Sequence, residues 1–419
     1  MAFSSLCVVG LGYIGLPTSV AFAEQGLRIY GCDVNEEAVA AINRGEAPFV
    51  ETALGEHLAP LVEAGLVTAS TKPQRADAMV IAVPTPFLAD KTADLSYIEA
   101  AATEIAPVLK PGDLVVLEST SPPGTTEKMA QWIAEANPAL VDADGTLMLD
   151  IVHAPERVLP GQVLAELVTN DRIVGGLTAQ AAARAKELYS IVCRGEIMET
   201  DATTAELAKC VENSFRDVNI AFANELEYVC ERLGVDVWEL IKLANHHPRV
   251  NILNPGPGVG GHCLAVDPWF IVQAAPDEAR IIKLAREIND SKPVWVVNKV
   301  NDAIAGRANP TIAALGLAFK PDIDDLRESP ATEVAGMLAR KFPQGRILAV
   351  EPNVVALPTG LAGMPNVELV DYADALARAD VVVLLVDHWQ FVPKPALGDG
   401  VAIVDTRGVW QTNTEEAAK

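Results

Sequence analysis

A glycine-rich segment near the middle of the chain, residues 254–269, delivers one cysteine and, four residues later, one aspartate. Because glycine lacks a Cβ and tolerates positive φ, such a segment can bring backbone N–H groups close to an anion or a sugar. Cys263 would then lie beside that ligand as a nucleophile, and Asp267 would be near enough to act on water or on a charged partner. The alternative, a surface turn with an inert buried thiol, is usual for a cysteine taken alone. Here the remaining sequence supplies a cofactor site and a base for the same reaction.

The N-terminal residues contain a Gly-x-Gly-x-x-Gly motif formed by Gly10, Gly12 and Gly15. A short apolar run precedes the motif and an apolar helical pattern follows it, which is the strand, turn and helix context in which a helix N-terminus binds the pyrophosphate of a dinucleotide. Asp33 ends the next predicted strand, where a carboxylate can bind the ribose hydroxyls. That carboxylate would repel a 2′-phosphate, so the motif predicts NAD rather than NADP. A purely structural glycine turn in a flavodoxin-like domain is the alternative.

Three further predicted strands of the N-terminal part end in polar turns. In a doubly wound sheet the carboxyl ends of the strands form the ligand-binding edge, so Thr85 and Thr120 are candidates to contact the nicotinamide half of the cofactor. Threonines and prolines in such turns also serve only to shape them, and both interpretations stay open. The third strand ends at the adjacent Glu156 and Arg157, for which a surface ion pair is the alternative to a functional role.

Residues 203–233 follow the pattern of one long helix that Gly234 ends. Lys209 and Asn213 lie on one polar stripe of this helix among apolar neighbours. A lysine in such surroundings serves as a general base if its pKa falls, or it stays charged and stabilises an oxyanion together with the Asn amide. A stripe that is merely solvated is the alternative. The helix is long enough to pair with a second copy of itself, which predicts a homodimer.

Two adjacent histidines precede the glycine-rich segment. No third ligand stands at a suitable spacing, so no metal site is predicted. His247 and Arg249 are instead candidates for hydrogen bonds to a polar ligand.

The C-terminal third repeats the alternation of strands and helices without a second glycine motif. Its first turn carries Lys320 and Arg327 ahead of a helix that Ser329 and Pro330 open, which is a suitable place to hold the phosphates or sugar of a second ligand. The expected fold is therefore α/β, with two Rossmann-like doubly wound parallel sheets joined by a long central helix and its helical domain. The expected boundaries are 1–198 for the NAD-binding domain, 199–305 for the helical dimerisation domain and 306–419 for the C-terminal α/β domain.

The composition limits the range of partners. The 419 residues include 32 Lys and Arg against 56 Asp and Glu, a net charge of −24 without an acidic tail, which argues against binding to nucleic acid or to an anionic membrane surface. The apolar N-terminal residues 1–23 lack a basic region and contain interrupting glycines, so we predict no signal segment and no membrane insertion. The six scattered cysteines without a CxxC pair are expected to be reduced thiols of a cytoplasmic protein.

Eight motifs run through nearly the whole chain: GLGYIGLP, VPTP, STSPPGT, APERVLPG, AELAKCVENSFRDVNIAFANE, PGPGVGGHCLAVDP, GLAFKPDIDDLRESP and VDTRGVW. In this order they resemble the UDP-sugar 6-dehydrogenases of the UDP-glucose/GDP-mannose dehydrogenase family. The resemblance implies a four-electron oxidation of the C6 alcohol of a UDP-sugar to a carboxylate, with NAD as oxidant, for surface polysaccharide synthesis. Within the family, the segment NHHPRVNILNPGPGVGGHCLAVDPWF resembles that of members acting on UDP-N-acetyl-D-mannosamine. UDP-GlcNAc or UDP-glucose are the alternative substrates.

The resemblance also implies roles for individual residues. Cys263 would capture the aldehyde as a thiohemiacetal and then carry the thioester. Lys209 and Asn213 would steady the oxyanions, with Lys209 in proton transfer, while Asp267 and Glu156 would orient or activate the water. The expected substrate-binding residues are Arg157, Val158, Lys209, Asn213, Arg216, His247, Arg249, Gly260, Phe319 and Lys320. The expected cofactor-binding residues, including those of the motifs above, are Gly10, Gly12, Tyr13, Ile14, Gly15, Asp33, Thr85, Thr120, Thr126 and Arg327.

Two other classes of function stay open. A nucleotide-sugar binding protein that has lost catalysis would not need the set Cys263, Lys209, Asn213 and Asp267. An ordinary two-electron alcohol dehydrogenase would leave Cys263 without a role. The yield of NADH per sugar separates the three functions. A four-electron dehydrogenase yields two NADH, a binding protein yields none, and a two-electron dehydrogenase yields one.

Overall fold

The fold is described from a computed structural model that covers residues 3–49, 51, 53–88, 90–158, 162–261, 263–304 and 306–410. The chain divides into two compact units, Met1–Glu212 with Gln273–Ala275 and Asn213–Val272 with Pro276–Lys419. The division falls inside one long helix. The three-domain boundaries given above therefore stay a prediction.

The first unit is a sheet with helices between its strands. Its strands are β1 (Ser5–Val9), β2 (Arg28–Cys32), β3 (Val67–Ser70), β4 (Ala78–Ile81), β5 (Leu114–Leu117), β6 (Asp150–His153), β7 (Arg172–Gly176) and β8 (Ile197–Asp201). Its helices are α1 (Gly15–Glu24), α2 (Glu36–Asn43), α3 (Leu54–Glu63), α4 (Ser96–Ile105), α5 (Thr125–Ala136), α6 (Val163–Thr169) and α7 (Ala179–Tyr189). The strand order is β3-β2-β1-β4-β5-β6-β7-β8, with β6 and β7 antiparallel and the other neighbours parallel.

This sheet is buried on both faces, which explains why its strands are continuous apolar runs in the sequence. Leu6 and Val8 of β1 pack into the hydrophobic cluster on one face, whereas Cys7 and Val9 pack into the cluster on the other. Strand β1 lies between β2 and β4 in the sheet. The chain continues from β1 to β2 and β3 on one side and then crosses to β4 on the other side, so the strand order reverses here. The carboxyl ends of these strands thus form a topological switch point, where doubly wound sheets bind their ligands.

The central helices are α8 (Ala202–Leu233), α9 (Val237–Ala244), α10 (Asp267–Ala274) and α11 (Arg280–Ala303). The long helix predicted for residues 203–233 is confirmed, and it carries 32 residues. Among the described residues, no helix has the length and apolar character needed to cross a membrane.

The second unit contains the C-terminal sheet. Its strands are β9 (Thr311–Leu315), β10 (Arg346–Val350), β11 (Val367–Leu369), β12 (Val381–Leu384) and β13 (Ala402–Asp405), and its helices are α12 (Pro330–Lys341), α13 (Thr359–Ala362) and α14 (Tyr372–Arg378). The order is β11-β10-β9-β12-β13, and all neighbours are parallel. This confirms the expected fold of two doubly wound parallel sheets with a long helix between them in the chain.

The two sheets share local geometry as well as strand order. Gly10 follows β1 at φ +91° and Gly316 follows β9 at φ +90°. Each donates its N–H to the carbonyl of the last residue of the second strand at 2.8 Å. An acidic residue after that second strand, Asp33 or Glu351, accepts backbone N–H groups of the first turn. The C-terminal unit therefore keeps the turn of a dinucleotide-binding domain without its glycine motif.

Candidate active site

The three motif glycines of the first unit differ in their surroundings. Gly10 and Gly15 are closely packed against other atoms, whereas Gly12 is not. A Cβ on Gly10 would meet the carbonyl oxygen of Ala82 at 2.5 Å, and a Cβ on Gly15 would overlap the carbonyl oxygen of Gly10. A Cβ on Gly12 would meet no atom of the described chain within 4 Å. Gly12 therefore faces open space, which a ligand can approach closely. Helix α1 begins directly after this turn, so its N-terminus is available to a pyrophosphate.

Asp33 is held in place at the end of β2 by the backbone. Its Oδ2 accepts the N–H of Leu11 at 2.8 Å and its Oδ1 accepts the N–H of Asn35 at 2.9 Å. Each carboxylate oxygen keeps a further lone pair. The half-buried carboxylate is thus oriented and still able to accept hydroxyl groups of a ribose.

Hydroxyl groups without partners lie at the edge where β4 and β5 end. The Oγ atoms of Thr85 and Ser121 are buried and have no hydrogen-bond partner among the described residues. Buried polar groups are nearly always paired in proteins, so these two atoms are suited to a ligand. Thr120, which directly precedes Ser121 in the sequence, is half-buried. Ser121 was not among the residues predicted from the sequence.

Thr126 has a different environment from the other cofactor candidates. It is fully buried, and both its hydroxyl and its N–H donate to Glu206, at 2.6 and 2.7 Å. The other carboxylate oxygen of Glu206 accepts the N–H of Gly124 at 2.6 Å. Glu206 therefore caps the N-terminus of α5, and Thr126 takes part in that cap.

Two residues of the glycine turn complete the first-unit site. Tyr13 is 42% exposed, with its ring 4.3 Å from that of Phe49 between centroids. Ile14 is the N-cap residue of α1 and offers no side-chain acceptor, which leaves that role to a ligand oxygen. These residues, the open Gly12 and the oriented Asp33 fit a dinucleotide.

The second unit brings three of the predicted catalytic residues together. The Asn213 amide of α8 donates to Asp267 Oδ2 at 2.5 Å. Asp267 is 2% exposed and is the first residue of α10. The Cys263 carbonyl accepts the N–H groups of Val266 at 3.0 Å and of Asp267 at 2.9 Å, so the thiol is presented one helical turn before the aspartate. All six cysteines are described, and Cys263 alone is exposed, as a nucleophile requires.

Buried polar residues of α8 and α11 hold both ends of this loop. Asn224 Oδ1 accepts the N–H of Gly256 at 3.0 Å. Arg286, 1% exposed, donates to Asp217 at 2.5 Å and to the Leu264 carbonyl at 3.4 Å. These residues were not predicted from the sequence, because polar residues on long helices are usually solvated.

The glycines between these ends allow the loop to lie against the first turn of the C-terminal sheet. A Cβ on Gly260 would meet Pro330 Cδ at 2.6 Å and Phe319 Cβ at 2.9 Å. Gly261, at φ +87°, would meet the Phe319 ring at 3.1–3.4 Å. Gly260 is thus explained by packing within the protein, and Phe319 forms the half-buried surface beneath the loop. His262, which directly precedes Cys263 in the sequence, lies outside the described residues.

Glu156 does not form a surface ion pair with its neighbour. It is 9% exposed, its Oε2 contacts Arg172 Nη2 at 2.5 Å, and its Oε1 accepts the N–H of Arg157 at 2.6 Å. The Arg157 guanidinium instead pairs with Glu212 at 2.8 Å. Val158 is half-buried against the core of the first unit.

The remaining predicted residues lie on the surfaces of their own units. Lys209 is half-buried on the part of α8 that belongs to the first unit. Exposed residues of the second unit are Arg216, His247, Arg249, Lys320 and Arg327. Arg327 binds Asp325 through Nε at 2.8 Å and Nη2 at 2.7 Å. Among the described residues, no group of three or more His, Cys, Asp or Glu side chains is close enough together to hold a metal ion.

Comparison with known proteins covers most of the chain. Residues 4–193 match the NAD binding domain of the UDP-glucose/GDP-mannose dehydrogenase family, residues 203–291 its central domain and residues 313–412 its UDP binding domain. A UDP-N-acetyl-D-mannosamine dehydrogenase of Yersinia pestis is 56% identical, over 98% of this chain and 100% of the relative. An NDP-N-acetyl-D-galactosaminuronic acid dehydrogenase of Ralstonia nicotianae is 53% identical, over 97% and 96%.

Solved structures lead to the same family. The UDP-D-ManNAc dehydrogenase from Pyrococcus horikoshii superimposes with a TM-score of 0.85 at 36% identity, over 97% of this chain and 96% of that one. The match to an NAD binding domain confirms the predicted cofactor. With all three family domains matched in order and relatives more than half identical over nearly the whole length, the chain belongs to the UDP-glucose/GDP-mannose dehydrogenase family.

Proposed function

We propose that this chain oxidises the C6 alcohol of UDP-N-acetyl-D-mannosamine to the carboxylate, and that it uses two NAD per sugar. The observation that carries the proposal is the exposed Cys263 thiol, presented one turn before an aspartate that Asn213 holds. The relative named for that sugar, at 56% identity, supports the choice of substrate. A two-electron alcohol dehydrogenase would have no need of the cysteine.

The first half of the reaction ends with the aldehyde bound to the protein. NAD, when bound, accepts a hydride in each of the two oxidations. Lys209 takes part in removing the C6 hydroxyl proton. Cys263 Sγ then bonds to the aldehyde carbon, and the former carbonyl oxygen becomes an oxyanion that N–H groups of Asn213 and Lys209 stabilise. Covalent capture retains the aldehyde while the cofactor is exchanged.

The second half removes the product from the cysteine. Loss of the second hydride converts the thiohemiacetal to a thioester. Water then bonds to the thioester carbon, the C–S bond breaks, and the Cys263 thiolate leaves. Asp267, fixed by Asn213, orients the water, and Glu156 accepts the proton that the water loses.

We assign the ligands to the residues that the sequence singled out. NAD is assigned to Gly10, Gly12, Tyr13, Ile14, Gly15, Asp33, Thr85, Thr120, Thr126 and Arg327. Of these, the buried Oγ of Thr85 and the oriented carboxylate of Asp33 have the strongest support. The UDP-sugar is assigned to Arg157, Val158, Lys209, Asn213, Arg216, His247, Arg249, Gly260, Phe319 and Lys320.

A second candidate substrate is a nucleotide-linked N-acetyl-galactosamine sugar. It is favoured by the relative from Ralstonia nicotianae, which is nearly as similar, at 53% identity, and is named for a galactosaminuronic acid. The chemistry at C6 would be the same, and only the recognition of the sugar ring would differ.

The yield of NADH at limiting sugar tests the proposal. We expect two NADH per UDP-N-acetyl-D-mannosamine and less turnover with the galactosamine, glucosamine and glucose counterparts. Cys263→Ala should abolish turnover, whereas Cys230→Ala, at a buried cysteine of a small apolar cluster, should keep it. One NADH per sugar, or turnover that does not depend on Cys263, would overturn the mechanism. A yield of two NADH with a different sugar would refute the proposed substrate and leave the mechanism standing.

We also propose that the chain acts as a homodimer in the cytoplasm, for surface polysaccharide synthesis. Support for the dimer comes from α8, where Phe215, Phe222 and Val229 recur every seven residues and are 71%, 51% and 46% exposed. An exposed apolar stripe on a long helix is suited to a second copy of the same helix. The cytoplasmic location is supported by the six cysteines, none of which forms a disulfide.

A further inference from the structure

A buried cluster in the first unit joins two carboxylates to one guanidinium. Arg172 of β7 contacts Glu156 at 2.5 Å and Glu118, which directly follows β5, at 3.4 Å. The Tyr189 hydroxyl donates to Glu118 Oε1 at 2.6 Å, and Thr18 Oγ1 lies 3.4 Å from Glu118 Oε2. Arg172, Glu118 and Tyr189 are at most 5% exposed. The charged side chains of the cluster are therefore shielded from bulk water.

The charges of this cluster do not balance when both carboxylates are ionised. One guanidinium would then face two negative charges in a buried site, which is costly because burial disfavours uncompensated charge. Retention of one proton by the two carboxyls restores neutrality.

The contacts indicate which carboxyl keeps the proton. Glu156 has two close N–H donors, Arg172 at 2.5 Å and the backbone of Arg157 at 2.6 Å, and both favour its ionised form. Glu118 lies farther from the guanidinium and its other partners are hydroxyl groups, which can accept as well as donate. Burial raises the pKa of the Glu118 carboxyl to about 7, with Arg172 opposing the rise and Glu156 adding to it.

We propose that Glu118 is a positioning residue for Glu156: it holds the one proton of the cluster and so leaves the positive charge of Arg172 to the Glu156 carboxylate. The inference rests on the proposed role of Glu156 as the proton acceptor in thioester hydrolysis. Glu118 touches neither substrate nor cofactor in this account. It acts through Arg172 on the basicity of Glu156.

The direction of the effect follows from the charges. While Glu118 is protonated, Arg172 is committed to Glu156 and lowers its affinity for the proton of the attacking water. When Glu118 ionises, the guanidinium is shared and a second negative charge is added, so Glu156 becomes a stronger base. Hydrolysis of the Cys263 thioester should therefore accelerate as Glu118 loses its proton.

Glu118→Gln has the shape of the protonated side chain and cannot ionise. The decay of the thioester adduct on Cys263 is followed by intact-protein mass after rapid mixing, between about pH 6 and about pH 8.5. We expect the ratio of wild-type to variant decay rates to rise several-fold across this range. Tyr189→Phe, which removes a donor to ionised Glu118, should move the midpoint to higher pH. Glu63→Gln, at an exposed position on α3, serves as the control. A ratio that does not change with pH would overturn the proposal.

A second measurement does not depend on turnover. Because the pKa of Glu118 is raised in the folded state, its contribution to stability is complete below the unfolded pKa and is lost as pH rises through about 7. The difference in Tm between wild type and Glu118→Gln should change with pH accordingly, and a constant difference would contradict the shared proton. Absence of NADH with every UDP-sugar would instead refute the proposed function and leave this result standing.

Discussion

Asp33 is the residue to which we assign the preference for NAD over NADP. Its carboxylate is oriented by two backbone N–H groups before any ligand binds. We expect Asp33→Asn to lower kcat/KM with NAD by about ten- to hundredfold, because a hydrogen bond to a charged group contributes about 1.5–3 kcal/mol. Turnover with NADP should rise in the same variant, since the charge that repels a 2′-phosphate is gone. Steady-state kinetics with both cofactors checks this, with the exposed Glu36→Gln as control. Unchanged preference would exclude Asp33 from the ribose site.

His153 is a buried residue outside the proposed site, and we expect its replacement to act on stability. Its ring is fully buried at the end of β6, both ring nitrogens lack a hydrogen-bond partner among the described residues, and burial lowers its pKa to about 3. The folded pKa is below the unfolded value, so the unfolded state binds the proton first. The stabilising contribution is complete above about pH 6.5 and is lost as pH falls.

Substitution of His153 tests this pH dependence. The wild-type free energy of unfolding should fall by about 2 kcal/mol more than that of His153→Leu between about pH 6.5 and about pH 5, at about 1.4 kcal/mol per pH unit. Urea unfolding at a series of pH values measures both. Parallel pH curves for the two proteins would contradict the prediction.

At the residue level, the sequence predicts the relative placement of residues that lie close together along the chain. Cys263 and Asp267 are one helical turn apart, and Gly10, Gly12 and Asp33 belong to one local motif, so their relation is visible in the chain itself. The pairing of Glu118 with Arg172 joins residues 54 positions apart, one directly after β5 and the other at the start of β7. No local sequence pattern predicts such a contact, because it depends on the order of the strands in the sheet.

At the scale of elements, α8 and α11 act as the support of the cysteine loop. Asn224 on α8 joins the Gly256 N–H to Asn289 of α11, which it contacts at 2.8 Å. We expect Asn224→Leu to leave that buried N–H without a partner, at a cost of about 1–3 kcal/mol in the free energy of unfolding. Turnover should fall about ten- to hundredfold, because small displacements of a catalytic loop are costly.

Kinetics and thermal unfolding of Asn224→Leu are to be compared with Asn219→Ala. Asn219 lies on the same helix and its side-chain amide donates to a carbonyl of its own preceding turn, at 2.6 Å, so its replacement should have little effect on either quantity. Equal activities of the two variants would show that the loop does not depend on α8 for its position.

The elements that the sequence predicted are the ones with strong apolar runs. The inner strands β1, β4, β5, β9 and β12 are almost completely buried, and their composition indicates them directly. Strands β3, β7, β8 and β11 were not predicted. Strands β3, β8 and β11 are edge strands that are only partly buried, so they lack the continuous apolar run on which the prediction relied. Strand β7 is an inner strand, but it begins with an arginine and ends in two glycines, so its apolar run is only two residues long.

At the scale of the whole molecule, the repeated fold was predictable and the likeness of its two turns was not. The alternation of strands and helices in both thirds predicts two doubly wound sheets. The C-terminal turn lacks the glycine motif, yet Gly316 and Glu351 reproduce the backbone positions of Gly10 and Asp33. The two turns are alike in backbone conformation although most of their residues differ. The boundary between the units falls inside α8, where the helical pattern is unbroken and gives no signal.

The proposed dimer belongs to this scale. Phe222→Glu puts a charge into the exposed apolar stripe of α8, and we expect it to convert the dimer to a monomer, because burying an unpaired charge at an interface is strongly unfavourable. Sedimentation velocity measures the mass in solution. Tyr97→Glu, at another exposed aromatic residue on α4, is the matched control and should remain dimeric. A dimeric Phe222→Glu protein, or a monomeric wild type, would contradict the assignment of this surface.

The most direct test of the account is the identity of the covalent intermediate. The protein is mixed with UDP-N-acetyl-D-mannosamine and NAD, quenched in acid within one turnover, and digested for peptide mass analysis. We predict an adduct of the oxidised sugar nucleotide on the peptide that carries Cys263, and none on peptides carrying the five buried cysteines. Two NADH per sugar with no adduct on Cys263 at any quench time would contradict covalent capture by this thiol.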